Sequence, residues 1–322
     1  MSAITSAIAG VTIGIDVTVQ NLTMFPLLGR ENEPGPADQF LTLDEALSGG
    51  WARITEVSEQ GSVPELRVSN TSDAPVFILD GEELIGAKQN RVVNLSILVP
   101  PRSVLKIPVS CVEAGRWHAR SRTFAAAPRV QFAAGRARKM QQVTASMMSH
   151  GARMADQCAV WDDIAQKSAR MQAHSPTSAM EAMFVSYEDS IEKFVAALLP
   201  APGQTGALFA VGERVAGFEL FATAPLLRKL LPKIVRSYAL DAIDDDRTRS
   251  GEGTQGRHRH RRRAEGSLRV AASQFLDATA RVPGKPMSAI GFGVDVRIHA
   301  PGVTAAALVH DDRVVHLGAF AA

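Results

Sequence analysis

The side chains with the greatest chemical capacity lie between positions 80 and 117. Asp80-Gly81-Glu82-Glu83 sets adjacent carboxylates beside a turn dipeptide, and Lys88-Gln89-Asn90-Arg91 follows almost at once. Gly115-Arg116-Trp117 then adds a planar guanidinium and an aromatic face, a combination suited to a ribose, a phosphate or a base. Read as two strands of one hairpin, 89–99 and 105–113 place Val99 against Leu105, Ile97 against Ile107, Leu95 against Val109 and Val93 against Cys111. That register brings Arg91 directly opposite Glu113 where the apolar row ends. Burying either charge alone costs several kcal/mol, so the two are expected to pair or to face a ligand cavity.

The expected site is a polar cavity rimmed by Glu82, Glu83, Gln89, Asn90, Arg91, Glu113, Arg116 and Trp117. In a binding protein Arg91 or Arg116 would hold a phosphate or carboxylate, Gln89 and Asn90 would read hydroxyls, and Trp117 would stack on a ring. In a hydrolase, Glu83 or Glu113 would serve as the general base that activates water. A third alternative is a protein-interaction scaffold, with the same charges serving only to close the sheet.

Other reactive residue types point less far. Cys111 falls in the apolar row and Cys158 on a helical stripe, so both read as small hydrophobes rather than nucleophiles. His310, Asp311, Asp312 and His316 lack the spacing of a metal site, and Asp311-Asp312 reads as a turn; no metal is expected and no cofactor is indicated. An arginine-rich run, Arg257 to Arg263, follows the aspartates 244–246 and has no interleaved aromatics for base stacking. Residues 244–266 are therefore expected to form a flexible, solvated loop rather than a nucleic-acid interface. The GxxxxGK[ST], HExxH and GxSxG signatures do not occur.

The elements that must hold these residues follow from periodicity. Val11, Ile13, Ile15, Val17 and Val19 alternate as in a strand, with which the chain is expected to begin. Thr42 and Glu45 form a capping box for a helix over 43–47 that ends at Gly49-Gly50. β-Branched runs at 54–57, 66–68, 76–79, 92–99 and 104–112 predict an antiparallel sandwich or barrel that stops near Trp117. An apolar stripe over 140–164 predicts one long helix or a pair broken at Gly151. Ser178 and Glu181 predict a capped helix continuing to Leu198. Two short strands (208–211, 218–222), a helix over 226–238 kinked at Pro232, a helix capped by Ser267, and closing strands follow.

The resulting fold class is α+β: a β-rich part (1–120), a mainly helical middle (136–280) and strands (288–320) that return to the first sheet, all in one interleaved domain. With 322 residues, 46% of them hydrophobic, the chain can fill a core without disulfides. A net charge of +2 offers no general attraction for nucleic acid or anionic lipid, and no stretch has the length of a membrane span. The start lacks the basic region of a secretory signal, which places the protein in the cytoplasm.

The segment 75–117, in particular Gly81-Glu82-Glu83, Lys88-Gln89-Asn90-Arg91 and Ser110-Cys111-Val112-Glu113-Ala114-Gly115-Arg116-Trp117, resembles the ARG and rhodanese-phosphatase superfamily associated protein domain family. The likeness reaches Val315-His316-Leu317-Gly318-Ala319-Phe320. Through its namesakes, which include the ADP-ribosylglycohydrolases, the resemblance implies a role in NAD or ADP-ribose metabolism and a nucleotide-type ligand. It supplies no catalytic residues.

Overall fold

The computed structural model describes residues 2–29, 40–58, 61–251 and 261–321. The chain opens with a helix, not a strand: in α1 (Ala3–Ala9), Ser2 accepts a hydrogen bond from the Thr5 amide, and Ile4 and Ile8, one turn apart, share an apolar cluster with later residues. The alternating run that follows is split into β1 (Val11–Ile13) and β2 (Val17–Val19), both paired with β3 (Leu22–Gly29). After β4 (Leu41–Thr42), α2 (Leu43–Ser48) carries the expected capping box. The Thr42 hydroxyl accepts from the Glu45 amide while the Glu45 carboxylate accepts from the Thr42 amide.

The β-rich part comprises β5 (Ala52–Glu56), β6 (Glu65–Asn70), β7 (Val76–Ile78), β8 (Glu82–Gly86), β9 (Arg91–Val93), β10 (Ile97–Val99), β11 (Ser103–Cys111) and β12 (Phe124–Val130). Six of these close into a barrel in the order β11-β6-β5-β12-β8-β9, while β10, β7 and β4 form a separate small sheet. Strand β12 lies beyond Trp117, where the sequence pattern stopped. Its Pro128 cannot donate to a ladder, and the register with β8 shifts between Ala126 and Val130 to accommodate it.

Two helices follow, α3 (Ala133–His150) and α4 (Gln157–Met171), divided at Gly151, whose φ of 69° is the left-handed conformation glycine adopts freely. The helix expected to continue through 198 is instead two, α5 (Glu181–Ser186) and α6 (Glu188–Ala197), broken at Tyr187. The Ser178 capping box does not form, because Ser178 itself lies in the left-handed region (φ 51°) and the Glu181 carboxylate is drawn away to Arg129.

Strands β13 (Gln204–Val211) and β14 (Arg214–Phe221) lead to α7 (Ala224–Gly251), which continues through Pro232 and includes the aspartates assigned to a loop. Helix α8 (Arg261–Arg281) starts well before Ser267, so that serine is not its cap. Residues 244–251 and 261–266 of the expected loop are therefore helical, and the rest of it, 252–260 with Arg257 and Arg259, lies outside the described residues. A GxGxxG text does occur at 251–256, but it follows a helix instead of a strand and so lacks the context of a dinucleotide fingerprint.

The chain ends in β15 (Lys285–Ser288), β16 (Val294–Ala300), β17 (Val303–His310) and β18 (Arg313–Ala321). Asp311 and Asp312, both at positive φ, form the two-residue turn between the last two. These strands join the N-terminal ones in a nine-stranded sheet, β1-β3-β13-β14-β18-β17-β16-β15 with β2 beside β3. Alternation along β13 shows the layering. Leu208 and Ala210 pack with Leu268, Ala272 and Phe275 of α8 on one face, and Ala207 and Phe209 pack with Leu227, Ile234 and Tyr238 of α7 on the other. Each large side chain buried this way adds about 1.5–3 kcal/mol. No described helix is long and apolar enough to cross a membrane.

Candidate functional site

The barrel interior is built from Ile54, Leu66, Val68, Leu84, Val93, Ile107, Val109 and Phe124, all in one apolar cluster. Val93 pairs with Val109, and two residues further along the same strand face Arg91 pairs with Cys111. Arg91 is therefore not opposite Glu113, and the predicted register is two residues out. A slip of two keeps every side chain on its face, so alternation could not detect it. The cause is that the chain leaves the barrel after Val93: Ile97–Val99 pairs with β7, while Leu105 and Ile107 face Val68 and Leu66 of β6.

Arg91 is fully buried, and it differs in partnership from the other buried cations. Its Nη1 donates to Gln89 Oε1 at 2.8 Å, while its Nε and Nη2 have no acceptor among the described residues. Burial pushes the guanidinium down from its ordinary value, opposed by Cys111 and Glu56. Above it lies the half-exposed Trp117, whose ring centroid is 5.7 Å from the Arg91 guanidinium carbon and 5.4 Å from Lys88 Nζ. Cys111 Sγ lies 3.1 Å from Gln89 Oε1, and burial raises its thiol, with Arg91 opposing. A thiol so placed is held protonated.

Glu113 closes on Arg116 instead. Its Oε2 is 2.6 Å from Arg116 Nη2 and accepts from the Asn90 amide at 3.1 Å; its Oε1 accepts from the Thr177 hydroxyl at 2.8 Å. Burial would raise this carboxyl, but hydrogen bonds from Arg116, Thr177 and Asn90 outweigh it and hold Glu113 below its usual range. Arg116 also donates to the carbonyls of Ala87 and His118 and to Asn90 Oδ1. Glu82 and Glu83 are fully buried. Glu82 meets Lys233 at 2.6 Å and accepts from the Leu79 amide; Glu83 Oε2 meets Arg129 at 2.5 Å while its Oε1 has no hydrogen-bond partner among the described residues. Burial raises both carboxyls above their ordinary values despite those cations.

The structure thus brings together Gln89, Asn90, Arg91, Glu113, Arg116 and Trp117 around one end of the barrel. Glu83 meets this group through Arg129 and Glu181, while Glu82 turns to α7. A second constellation was not foreseen. Asp80 takes Lys139 at 2.9 Å and Arg136 at 3.4 Å; Arg136 takes Glu219 at 2.6 Å; Glu219 takes His316 Nε2 at 2.8 Å; and His316 Nδ1 lies 2.9 Å from Ser96 Oγ. The available signal was a charged or polar residue inside an apolar strand, Glu219 between Phe218 and Leu220, and His316 between Val315 and Leu317. His310, by contrast, stacks on Phe292 and lies 3.6 Å from Asp311.

The residues that surround both constellations fall within one family match: the model of the ARG and Rhodanese-Phosphatase-superfamily-associated Protein domain covers residues 10–320. The chain belongs to this family. No curated protein and no solved structure matches it. The family match spans the barrel, the helices and the closing sheet, so the barrel mouth and the Ser96 cluster are both parts of the family's domain rather than of an addition to it.

Proposed function

We propose that the protein binds a small anionic ligand of the phosphate-bearing nucleotide or ADP-ribose type at the mouth of the barrel, with Arg91 holding the anion and Trp117 stacking on a ring. The observation that carries this reading is the pair of unused donors on Arg91. A buried guanidinium lacking a carboxylate is costly, and two oxygens of a phosphate would supply the missing charge and hydrogen bonds. Gln89, Asn90, Glu113 and Arg116 are occupied with each other and act as the frame that fixes Arg91. Because Trp117 covers the guanidinium, entry requires this half-exposed ring to swing outward. The family's name, which pairs it with ADP-ribosylglycohydrolases, supports an ADP-ribose-linked ligand.

Thermal denaturation in the presence of ADP-ribose, NAD, ribose 5-phosphate, inorganic phosphate and uncharged ribose tests the reading. A true ligand raises the melting temperature with concentration, stabilising the fold by about 2.7 kcal/mol at a hundred times Kd. The rise is expected for a phosphate-bearing compound in the wild type and not in Arg91→Met. A shift retained in Arg91→Met, or produced equally by ribose, contradicts it.

Hydrolysis of the bound ligand is the second reading, and Glu83 is the carboxylate that favours it. Its raised pKa and unpartnered Oε1 suit proton transfer, whereas both Glu113 oxygens are already engaged. Glu83→Gln would then retain the ligand-induced shift in melting temperature but lose product formation from ADP-ribose. Unaltered turnover in that variant, or none in the wild type, would remove this reading.

A further inference from the structure

The Ser96 cluster contains the parts of a nucleophile relay, and hydrogen-bond polarity fixes its carboxylate end. Glu219 is fully buried and bound by Arg136 through Oε1; burial alone would raise its carboxyl, but Arg136 and His316 hold it below the ordinary range, so it is ionised. The carboxylate Oε2 can only accept, which places a proton on His316 Nε2 at 2.8 Å. In the neutral imidazole that proton leaves Nδ1 as an acceptor, and the Ser96 hydroxyl, which accepts from the Asp80 amide at 3.0 Å, can give its own proton to Nδ1 at 2.9 Å. Hydroxyl, imidazole and carboxylate are therefore in series in the order that activates an oxygen nucleophile.

Ser96, His316 and Arg297 line one small cavity between the barrel and the nine-stranded sheet. Arg297, 2% exposed, pairs with Asp295 through Nη2 at 2.6 Å, yet its Nε has no acceptor among the described residues. The free space is about 10 Å³, room for a single water. An acyl group seated there is limited to formyl or acetyl size. Ser96 itself is only partly buried, which leaves the alcohol portion of an ester a route to the outside.

From this arrangement we infer that the protein has an esterase site for short acyl esters, with Ser96 as nucleophile, His316 as general base and Glu219 as the group that orients His316. The site is separate from the barrel mouth and does not depend on the ligand proposed there. Ser96 Oγ bonds to the ester carbonyl carbon as its proton passes to His316 Nδ1, and the carbonyl electron pair moves to an oxyanion beside Arg297. Collapse of that intermediate breaks the carbon–oxygen bond to the alcohol, which departs with the proton from His316. Water then gives a proton to His316 and attacks the acyl-serine, releasing the short carboxylic acid and returning a proton to Ser96.

The full chain incubated with p-nitrophenyl acetate, quenched in acid and mapped by peptide mass spectrometry tests the inference. Expected are an acetyl group on the Ser96 peptide, release of p-nitrophenol at least about tenfold faster than from the butyrate ester, and a loss of at least about a hundredfold in Ser96→Ala. The Ser96→Ala melting temperature checks its fold, and the wild-type peptide map stands even if that variant is unstable. Acetyl found only on lysines, the amino terminus or Cys158 overturns the inference, as does a folded Ser96→Ala that hydrolyses at the wild-type rate.

Discussion

The Arg91 guanidinium carbon lies 5.7 Å from the centroid of the Trp117 ring, the one fully buried and the other half-exposed. The contact joins the interior of the barrel to solvent through a single side chain. It also covers a cation with two unused donors, a costly arrangement for the free protein that a bound anion would relieve.

Arg91 and Arg116 should therefore respond in opposite ways to removal of charge. Arg91→Met deletes a buried cation without a carboxylate and is expected to raise the unligated protein's stability by about 1–3 kcal/mol. Arg116→Met leaves the buried Glu113 with only the distant Arg120, 3.9 Å away, and should cost roughly 3–5 kcal/mol. Urea midpoints of the two variants provide the comparison, and equal destabilisation would show that Arg91 is structurally satisfied.

Acid should weaken the Asp80–Glu219 network in a defined direction. Burial pushes both carboxyls upward, but Lys139 and Arg136 at Asp80, and Arg136 and His316 at Glu219, outweigh it and hold both below their ordinary values. Stability from a depressed carboxyl is complete above its unfolded value, about 4, and is lost as pH falls through the folded value. Asp80→Asn, which strips Lys139 of its carboxylate, should cost roughly 3–5 kcal/mol at neutral pH. The gap from wild type should narrow steadily below about pH 4. A gap that stays constant down to pH 2 would contradict the assignment.

Gly81 is expected to tolerate no side chain. Its φ is +82°, and a Cβ there would stand 2.8 Å from Arg136 Cδ and 2.9 Å from Arg136 Nε. Gly81→Ala thus combines backbone strain with displacement of the arginine that binds Glu219, for a loss of about 1–3 kcal/mol. A melting temperature equal to wild type would show that Arg136 has room to move.

The two cysteines should separate by accessibility. Cys158 is exposed and Cys111 buried, both free, and burial raises the Cys111 thiol. A thiol reagent such as Ellman's should modify Cys158 alone in the folded protein and both residues after denaturation. Rapid native modification of Cys111 would mean that the barrel mouth opens widely.

Local chemistry was readable in the sequence where partners lie within a few residues: the Thr42–Glu45 capping box, the break at Gly151 and the Asp311-Asp312 turn. Alternation revealed the barrel strands and the face on which Arg91 sits, but not its partner, since a slip of two leaves the pattern unchanged. Short helix α1 and proline-bearing β12 lacked sufficient periodicity to stand out. The partners of Glu82 and Glu83 were not legible because Lys233 and Arg129 lie far along the chain. Ser96, Glu219 and His316 are separated by long stretches and meet only when β14 and β18 pair beside the barrel.

A crystal structure of the protein soaked with ADP-ribose tests the central claim most directly. A phosphate oxygen within about 3.2 Å of Arg91 Nε or Nη2, with Trp117 displaced onto a ring of the ligand, is the expected result. Ligand bound elsewhere with Trp117 still covering Arg91, or a protein carboxylate found on those two nitrogens, would contradict it.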